Sequence, residues 1–223
     1  MTQDGQVVRT PQQDRSRRTR LAIVQAAADL FDRHGYHGTK IADIVDRIGM
    51  TKGALYFHFP DKEAIAIAVM EAQIEGISVP PQEIKMQELV DAGYALAFML
   101  RTDPIQRAAT RLTMEQGSDY LDRTRPMKMW LTFTESILEE ARERKELLDY
   151  VEISEISNYF VGAFAGIQNM AQAFDNRVSL VDRLTALWKF TLPSIVHPAI
   201  LPKLTLEQDR GRHIVNDLEP FDS

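Results

Sequence analysis

The stretch GTKIADIVDRIGMTKGALYFHFPDKEAI, Gly38 to Ile65, decides the fold. Thr39 is suited to start a short helix over 40–47, whose Ile41, Ile44, Val45 and Ile48 recur at helical spacing and face inward. Gly49 breaks that helix, and Thr51 caps a second over 52–57. Pro60 ends the second, and Asp61 caps a third that begins near Lys62. Two helices of about two turns each, joined by a tight turn at Gly49-Met50, form the helix-turn-helix pattern. Within it, TKGALYFHF (Thr51 to Phe59) sets four rings beside a lysine and a glycine. A buried helix has no use for Lys52 and His58, and a solvated one has no use for Tyr56, Phe57 and Phe59.

In a helix-turn-helix the second helix enters the major groove, its N-terminal residues nearest the bases. Lys52 can reach guanine O6 or N7, or a phosphate. Gly53 lets the helix start approach a DNA backbone closely, at about 1 kcal/mol of helix stability relative to Ala. Tyr56 and His58 can donate to phosphate oxygens. Thr39 and Thr51 stand at helix N-termini, which suit a phosphate but equally suit plain capping. Lys62 can add another phosphate contact. Leu55, Phe57 and Phe59 read as anchors holding the short helix on its neighbours. The candidate contacts to double-stranded DNA are Thr39, Lys40, Thr51, Lys52, Gly53, Ala54, Tyr56, Phe57, His58 and Lys62.

The charge distribution agrees with an anionic partner at one end. The 223 residues carry a net charge of −6, yet residues 1–62 hold ten Lys/Arg against seven Asp/Glu and the remainder sixteen against twenty-five. A basic N-terminal piece on an acidic body fits nucleic acid there. Arg15, Arg17, Arg18 and Arg20 add to that charge. The chain has no cysteine, so disulfides and thiolate metal sites are excluded. His34 and His37 lack an apparent third metal ligand, and no metal or cofactor is expected. There is no Ser-His-Asp set, Gly-rich phosphate loop or paired catalytic carboxylates, so an enzyme is not expected. No apolar run approaches a membrane span and the N-terminus lacks a signal-peptide core, so a soluble cytoplasmic protein is expected.

Outward from the motif the chain reads as all-α. Residues 1–13 are polar, contain Pro11 and read as a disordered arm. A helix begins at Arg15, with Leu21, Val24, Ala28 and Phe31 at three- and four-residue spacing, and stops at His34-Gly35. The helix from Lys62 runs to about Gly76. Further helices are expected at 85–101, 104–116, 126–147, 152–175 and 179–194, with a break at Gly117-Ser118-Asp119. A short helix at 205–216 follows Pro198 and Pro202. The expected division is an arm (1–13), a helix-turn-helix domain (14–62), a helical body (63–197), to which the family resemblance given next assigns ligand binding and dimerisation, and a tail (198–223).

Gly35-Tyr36, Thr39, Ile41-Ala42, Ile44, Gly49-Met50-Thr51, Gly53-Ala54-Leu55-Tyr56-Phe57-His58-Phe59 and Lys62-Glu63 together resemble the DNA-binding domain of the TetR family of transcriptional repressors. Met50 replaces a more usual Val or Ile, a core substitution. AAADLFDRHGY (Ala26 to Tyr36), TKGALYFHF and FVGAFAGIQ (Phe160 to Gln168) more narrowly resemble the γ-butyrolactone autoregulator receptors of actinomycetes. The resemblance implies a repressor of antibiotic or secondary-metabolite genes that releases DNA when a small signal binds. Trp130 and Gln73 match pocket positions. Ala165 stands where many such receptors have Thr, which leaves a γ-butyrolactone, a butenolide and a furan carboxylate all open. A TetR-type regulator of efflux or lipid metabolism, with another hydrophobic effector, is the alternative.

The body is compatible with a sensor. Trp130, Phe133 and Thr134 share a helical face, as do Tyr94 and Phe98. With Gln73, Phe164, Ala165 and Gln168 they form the candidate ligand-binding set, apolar walls with a few polar groups; the same stripes also suit an ordinary core. Gly162, Ala163, Ala165 and Gly166 would let helices approach closely, and Leu180, Leu184, Leu187, Trp188 and Leu192 would pack against a copy of themselves in a homodimer. The helix from Lys62 to Gln73 is the natural lever between DNA and ligand.

Overall fold

α1 (Pro11–Gly38) carries a proline at its first described position, and proline is tolerated in a first helical turn, where its missing N–H has no partner to lose. The computed structural model describes residues 11–76, 78–114 and 124–217. Helix is already present before the expected Arg15 and takes in residues 11–13 of the expected arm; residues 1–10 of that arm lie outside the described residues. The expected stop at Gly35 is a kink (φ 72°, ψ 179°), and helix continues to Gly38.

α2 (Ile41–Ile48) and α3 (Lys52–His58) follow. Gly49 ends α2 in the left-handed conformation (φ 65°), its N–H turned back on the Asp46 and Val45 carbonyls. Thr51 caps α3, its Oγ1 accepting from Ala54 N at 3.2 Å. Asp61 Oδ1 accepts from Ala64 N at 2.7 Å and opens α4 (Lys62–Glu75).

The body comprises α5 (Lys85–Thr102), α6 (Pro104–Met114), α7 (Thr124–Glu143), α8 (Ile153–Asp175), α9 (Leu180–Thr191) and α10 (Arg210–Asp217), with single 3-10 turns at Leu192–Ser194 and Leu201–Lys203. The chain is all-α; among the described residues the one β-type pairing is an isolated Leu147–Val196 bridge. α6 is described as far as Met114, and the expected break at Gly117-Ser118-Asp119 lies outside the described residues. α7 stops at Glu143 rather than 147. Lys145 turns left-handed (φ 58°), and the buried Glu146 carboxylate caps α5 instead, accepting from Lys85 N at 2.9 Å and Met86 N at 2.8 Å.

Packing produces two cores. One joins α1–α4 with α6, through Ile23, Phe31, Ile44, Leu55, Phe59, Ile65, Val69, Ala109 and Leu112. The other joins α5, α7, α8, α9 and the chain after them. α4 and α6 therefore pack with the helix-turn-helix, on the far side of the boundary expected at residues 62 and 63. Arg107 Nε holds Asp32 at 2.7 Å, adding a charged tie between α6 and α1.

The C-terminal segment is docked. Arg210 grips the wholly buried Asp91 of α5 with two bonds of 2.7 Å. Gln87 reaches Thr205 through both amide atoms: Nε2 donates to its carbonyl at 3.2 Å and Oε1 accepts from its N–H at 2.7 Å. Gly211 lies so close to α5 that a β-carbon there would stand 2.1 Å from the Tyr94 carbonyl oxygen.

Candidate nucleic-acid interface and ligand cavity

α3 is held from below and open above. Leu55 and Phe59 are buried in the first core. Arg20 of α1 secures the helix end, its guanidinium 4.0 Å above the Phe59 ring and its Nη1 donating to the His58 carbonyl at 3.0 Å. Lys40, Thr51, Lys52, Gly53, Ala54, Tyr56 and Phe57 are all exposed, and His58 is half-buried. A β-carbon on Gly53 would meet nothing within 4 Å, so that helix start is free to be approached.

Three expectations need correction here. Phe57 is not an anchor: it is 83% exposed, because its side chain leaves the helix on the face away from Leu55 and Phe59. Thr39 is buried and its hydroxyl donates to the Gly35 carbonyl at 2.8 Å, so that group is committed to closing α1. Lys62 Nζ donates to the carbonyls of Tyr36 (2.8 Å) and Thr39 (3.1 Å) and sits 4.1 Å from the Tyr36 ring centroid. Its ammonium satisfies backbone acceptors in the last turn of α1 and just after it, and ties α4 to the α1–α2 corner instead of facing a phosphate. Burial, then Glu63 and Asp61, holds the Tyr36 phenol above its ordinary pKa. Lys62→Met is expected to loosen this corner, with a loss of about 1.5–3 kcal/mol from hydrogen bonds made by a charged group, read as a lower midpoint in thermal unfolding.

A second site lies in the body, where α4 to α9 enclose a cavity of about 110 Å³. α5 contributes Ala92, Gly93 and Leu96; α7 contributes Trp130, Phe133 and Thr134; α8 contributes Phe160, Phe164, Ala165 and Gln168. Gln73, at the end of α4, connects three helices. Its Oε1 accepts from Trp130 Nε1 at 3.3 Å, its Nε2 donates to Thr110 Oγ1 at 3.0 Å, and its own carbonyl accepts from Gln106 Nε2 at 2.9 Å. Trp130 meets Phe133 edge to face at 5.8 Å.

Seven of the nine expected ligand-binding residues line this cavity: Gln73, Trp130, Phe133, Thr134, Phe164, Ala165 and Gln168. Tyr94 and Phe98 do not. Tyr94 is buried in the second core with its hydroxyl 2.9 Å from Thr185 Oγ1, and burial raises its pKa; Phe98, one helical turn further, is half-buried outside the lining. Trp188 is the converse. Expected at a dimer surface, it is buried, lines the cavity and packs on Phe160 at 5.1 Å. The signal was Gly93: a β-carbon there would stand 3.0 Å from Trp188 Cζ2, so α5 makes room for the indole. Leu180, Leu184 and Leu192 likewise face inward. The surface of α8 instead shows Tyr159, Gly162, Gly166, Met170 and Phe174 at helical spacing, with nothing within 4 Å of a β-carbon on either glycine. Phe190 of α9 is 85% exposed. No helix among the described residues is long and apolar enough to cross a membrane.

Comparison with known proteins gives these features a context. Residues 23–69, which span the helix-turn-helix and reach into α4, match the family model described as bacterial regulatory proteins, tetR family. The A-factor receptor protein of Streptomyces griseus is 37% identical over 195 residues, 87% of this chain and 70% of that protein. Among solved structures, full-length TylP, a tetR regulator from Streptomyces fradiae, superposes with a TM-score of 0.87 at 35% identity, covering 92% of this chain and all of that one. A gamma-butyrolactone receptor described as ArpA-like superposes with a TM-score of 0.62 at 25% identity, covering 91% of this chain and 98% of that one.

Proposed function

Because the chain belongs to the tetR family of bacterial regulatory proteins, and is thus a transcriptional regulator rather than an enzyme, we propose that it is a dimeric repressor of secondary-metabolite genes. In this reading it binds a palindromic operator and is released by a small autoregulator of the γ-butyrolactone, butenolide or furan type. The resemblance to an A-factor receptor and to a gamma-butyrolactone receptor supports that class of signal. The observation that carries the proposal is the bond from Trp130 in the cavity wall to Gln73 of α4, since α4 begins at Lys62 against the helix-turn-helix. A ligand that displaces Trp130 acts on the end of the helix whose start orients α3.

Two recognition helices related by a two-fold axis fit successive major grooves of a palindrome. The exposed stripe of α8, with Phe190, is the proposed face for the second copy, because the open glycines let helix backbones approach closely. Release is a population shift. The ligand binds better when α4 has swung the two heads out of register with the grooves, and a ligand of equal affinity for both states releases nothing. Moving the population from 99:1 to 1:99 requires about 10⁴-fold differential affinity.

Trp130→Ala tests the coupling. DNA affinity in a mobility-shift titration is expected to stay within about twofold of the parent, while addition of the autoregulator no longer releases the duplex. An unchanged ligand response in this variant would remove Trp130 from the mechanism.

A further inference from the structure

Two polar atoms in the cavity wall have no partner. Gln168 Oε1 and Trp188 Nε1 are buried and accept or donate no hydrogen bond among the described residues, and both residues line the cavity. Of the other polar groups in the lining, the Trp130 N–H is met by Gln73 and the Gln73 amide by Thr110; the unpartnered Gln106 Oε1 and Ser157 Oγ belong to residues outside the lining. A buried donor or acceptor left unpaired costs about 1–3 kcal/mol, and native proteins hold few of them. Two in one apolar wall mark the positions where a bound molecule supplies the missing groups.

The two atoms ask for opposite chemistry. An indole N–H only donates, so Trp188 requires an acceptor; an amide oxygen only accepts, so Gln168 requires a donor. The indole is seated by Gly93 on one side and the Phe160 ring on the other, and Gln168 follows Phe160 by two turns of α8. Resting on the reading of this cavity as the effector site, we propose that Gln168 and Trp188 form its polar subsite. Trp188 Nε1 donates to a carbonyl oxygen of the ligand and Gln168 Oε1 accepts from a ligand hydroxyl, with the alkyl part of the ligand along Phe160 and Phe164.

This arrangement selects an uncharged hydroxylated carbonyl compound over an ionised carboxylate. Every side chain lining the cavity among the described residues is uncharged. A carboxylate would leave water without a counter-ion. Of the three signal types, the hydroxyalkyl lactone fits and the furan carboxylate does not.

The test uses the full chain and its tryptophan fluorescence, since both tryptophans of the sequence line the cavity. Three probes of equal chain length are titrated: a γ-butyrolactone with a 1-hydroxyalkyl chain, its deoxy analogue, and an alkyl furan carboxylate. Gln168→Leu is expected to weaken the hydroxy lactone about tenfold or more and to leave the deoxy lactone unchanged. Trp188→Phe, followed through Trp130, is expected to weaken both lactones by a similar factor. The furan carboxylate is expected to bind the parent more weakly than the hydroxy lactone at pH 7. Equal losses for both lactones in Gln168→Leu, no loss in Trp188→Phe, or tightest binding by the carboxylate would each overturn the subsite. If none of the probes binds while another hydrophobic compound releases the operator, the subsite falls and the ligand-responsive regulator stands. If no compound releases a bound operator, both fall.

Discussion

Arg210→Met is expected to lower stability by about 3 kcal/mol, the lower end of the cost of breaking a buried ion pair from one side. Asp91 is wholly buried and receives two guanidinium bonds at 2.7 Å; without Arg210, the neutral Gln87 amide at 2.7 Å remains bonded to it. For a chain of this length about 3 kcal/mol corresponds to a thermal midpoint roughly 6–12 °C lower. Replacing both members, Arg210→Met with Asp91→Leu, is expected to restore much of the loss, because the uncompensated charge is then gone. Gly211→Ala gives an independent check, since its methyl group would meet the Tyr94 carbonyl backbone, which cannot move aside cheaply. An unchanged midpoint for Arg210→Met and Gly211→Ala would mean that α10 is not docked on α5 in solution.

The second large effect is on DNA. Lys52→Ala combined with Tyr56→Phe is expected to weaken operator binding by about 1000-fold or more. Each half-site loses a lysine contact and a phenol hydrogen bond, each worth about 1–3 kcal/mol, and a two-fold complex loses each of them twice. The character of the Lys52 contact is readable separately. If it meets a phosphate, Lys52→Ala reduces the slope of log K against log salt by about 2 for the dimer; if it meets a base, selectivity at one operator position relaxes. Both side chains are exposed on α3, so thermal midpoint and ligand binding are expected to stay at parent values. Normal DNA binding by the double variant would remove α3 as the recognition helix.

The sequence carried the helix-turn-helix clearly because its signals are local. Gly49 as a left-handed stop, Thr51 as a cap and Asp61 as the next cap each act within four residues, and all three are found in those roles. What was not legible depends on partners distant in the chain. Lys62 reads as a free cation beside a basic surface until the carbonyls of Tyr36 and Thr39 are seen beneath it. Tyr94 and Trp130 look alike as aromatics on helical stripes, yet one is bonded to Thr185 and the other faces the cavity. Helical spacing identifies a shared face but not what lies opposite it. The apolar stripe of α9 for the same reason suggested a subunit surface, although Leu180, Leu184 and Trp188 pack within the chain. The end of α7 is not legible locally because Glu146 serves the start of α5, some sixty residues back in the chain.

The most direct measurement is a fluorescence-anisotropy titration of a labelled palindromic autoregulator-type duplex at low and moderate salt, repeated with a hydroxyalkyl γ-butyrolactone while tryptophan emission reports cavity occupancy. Salt-sensitive binding of the duplex by a dimer is expected, with release following the same ligand concentration that changes the emission. A filled cavity with the duplex still bound would contradict the coupling of cavity to α3 through α4, and no duplex binding at low salt would contradict the operator-binding account itself.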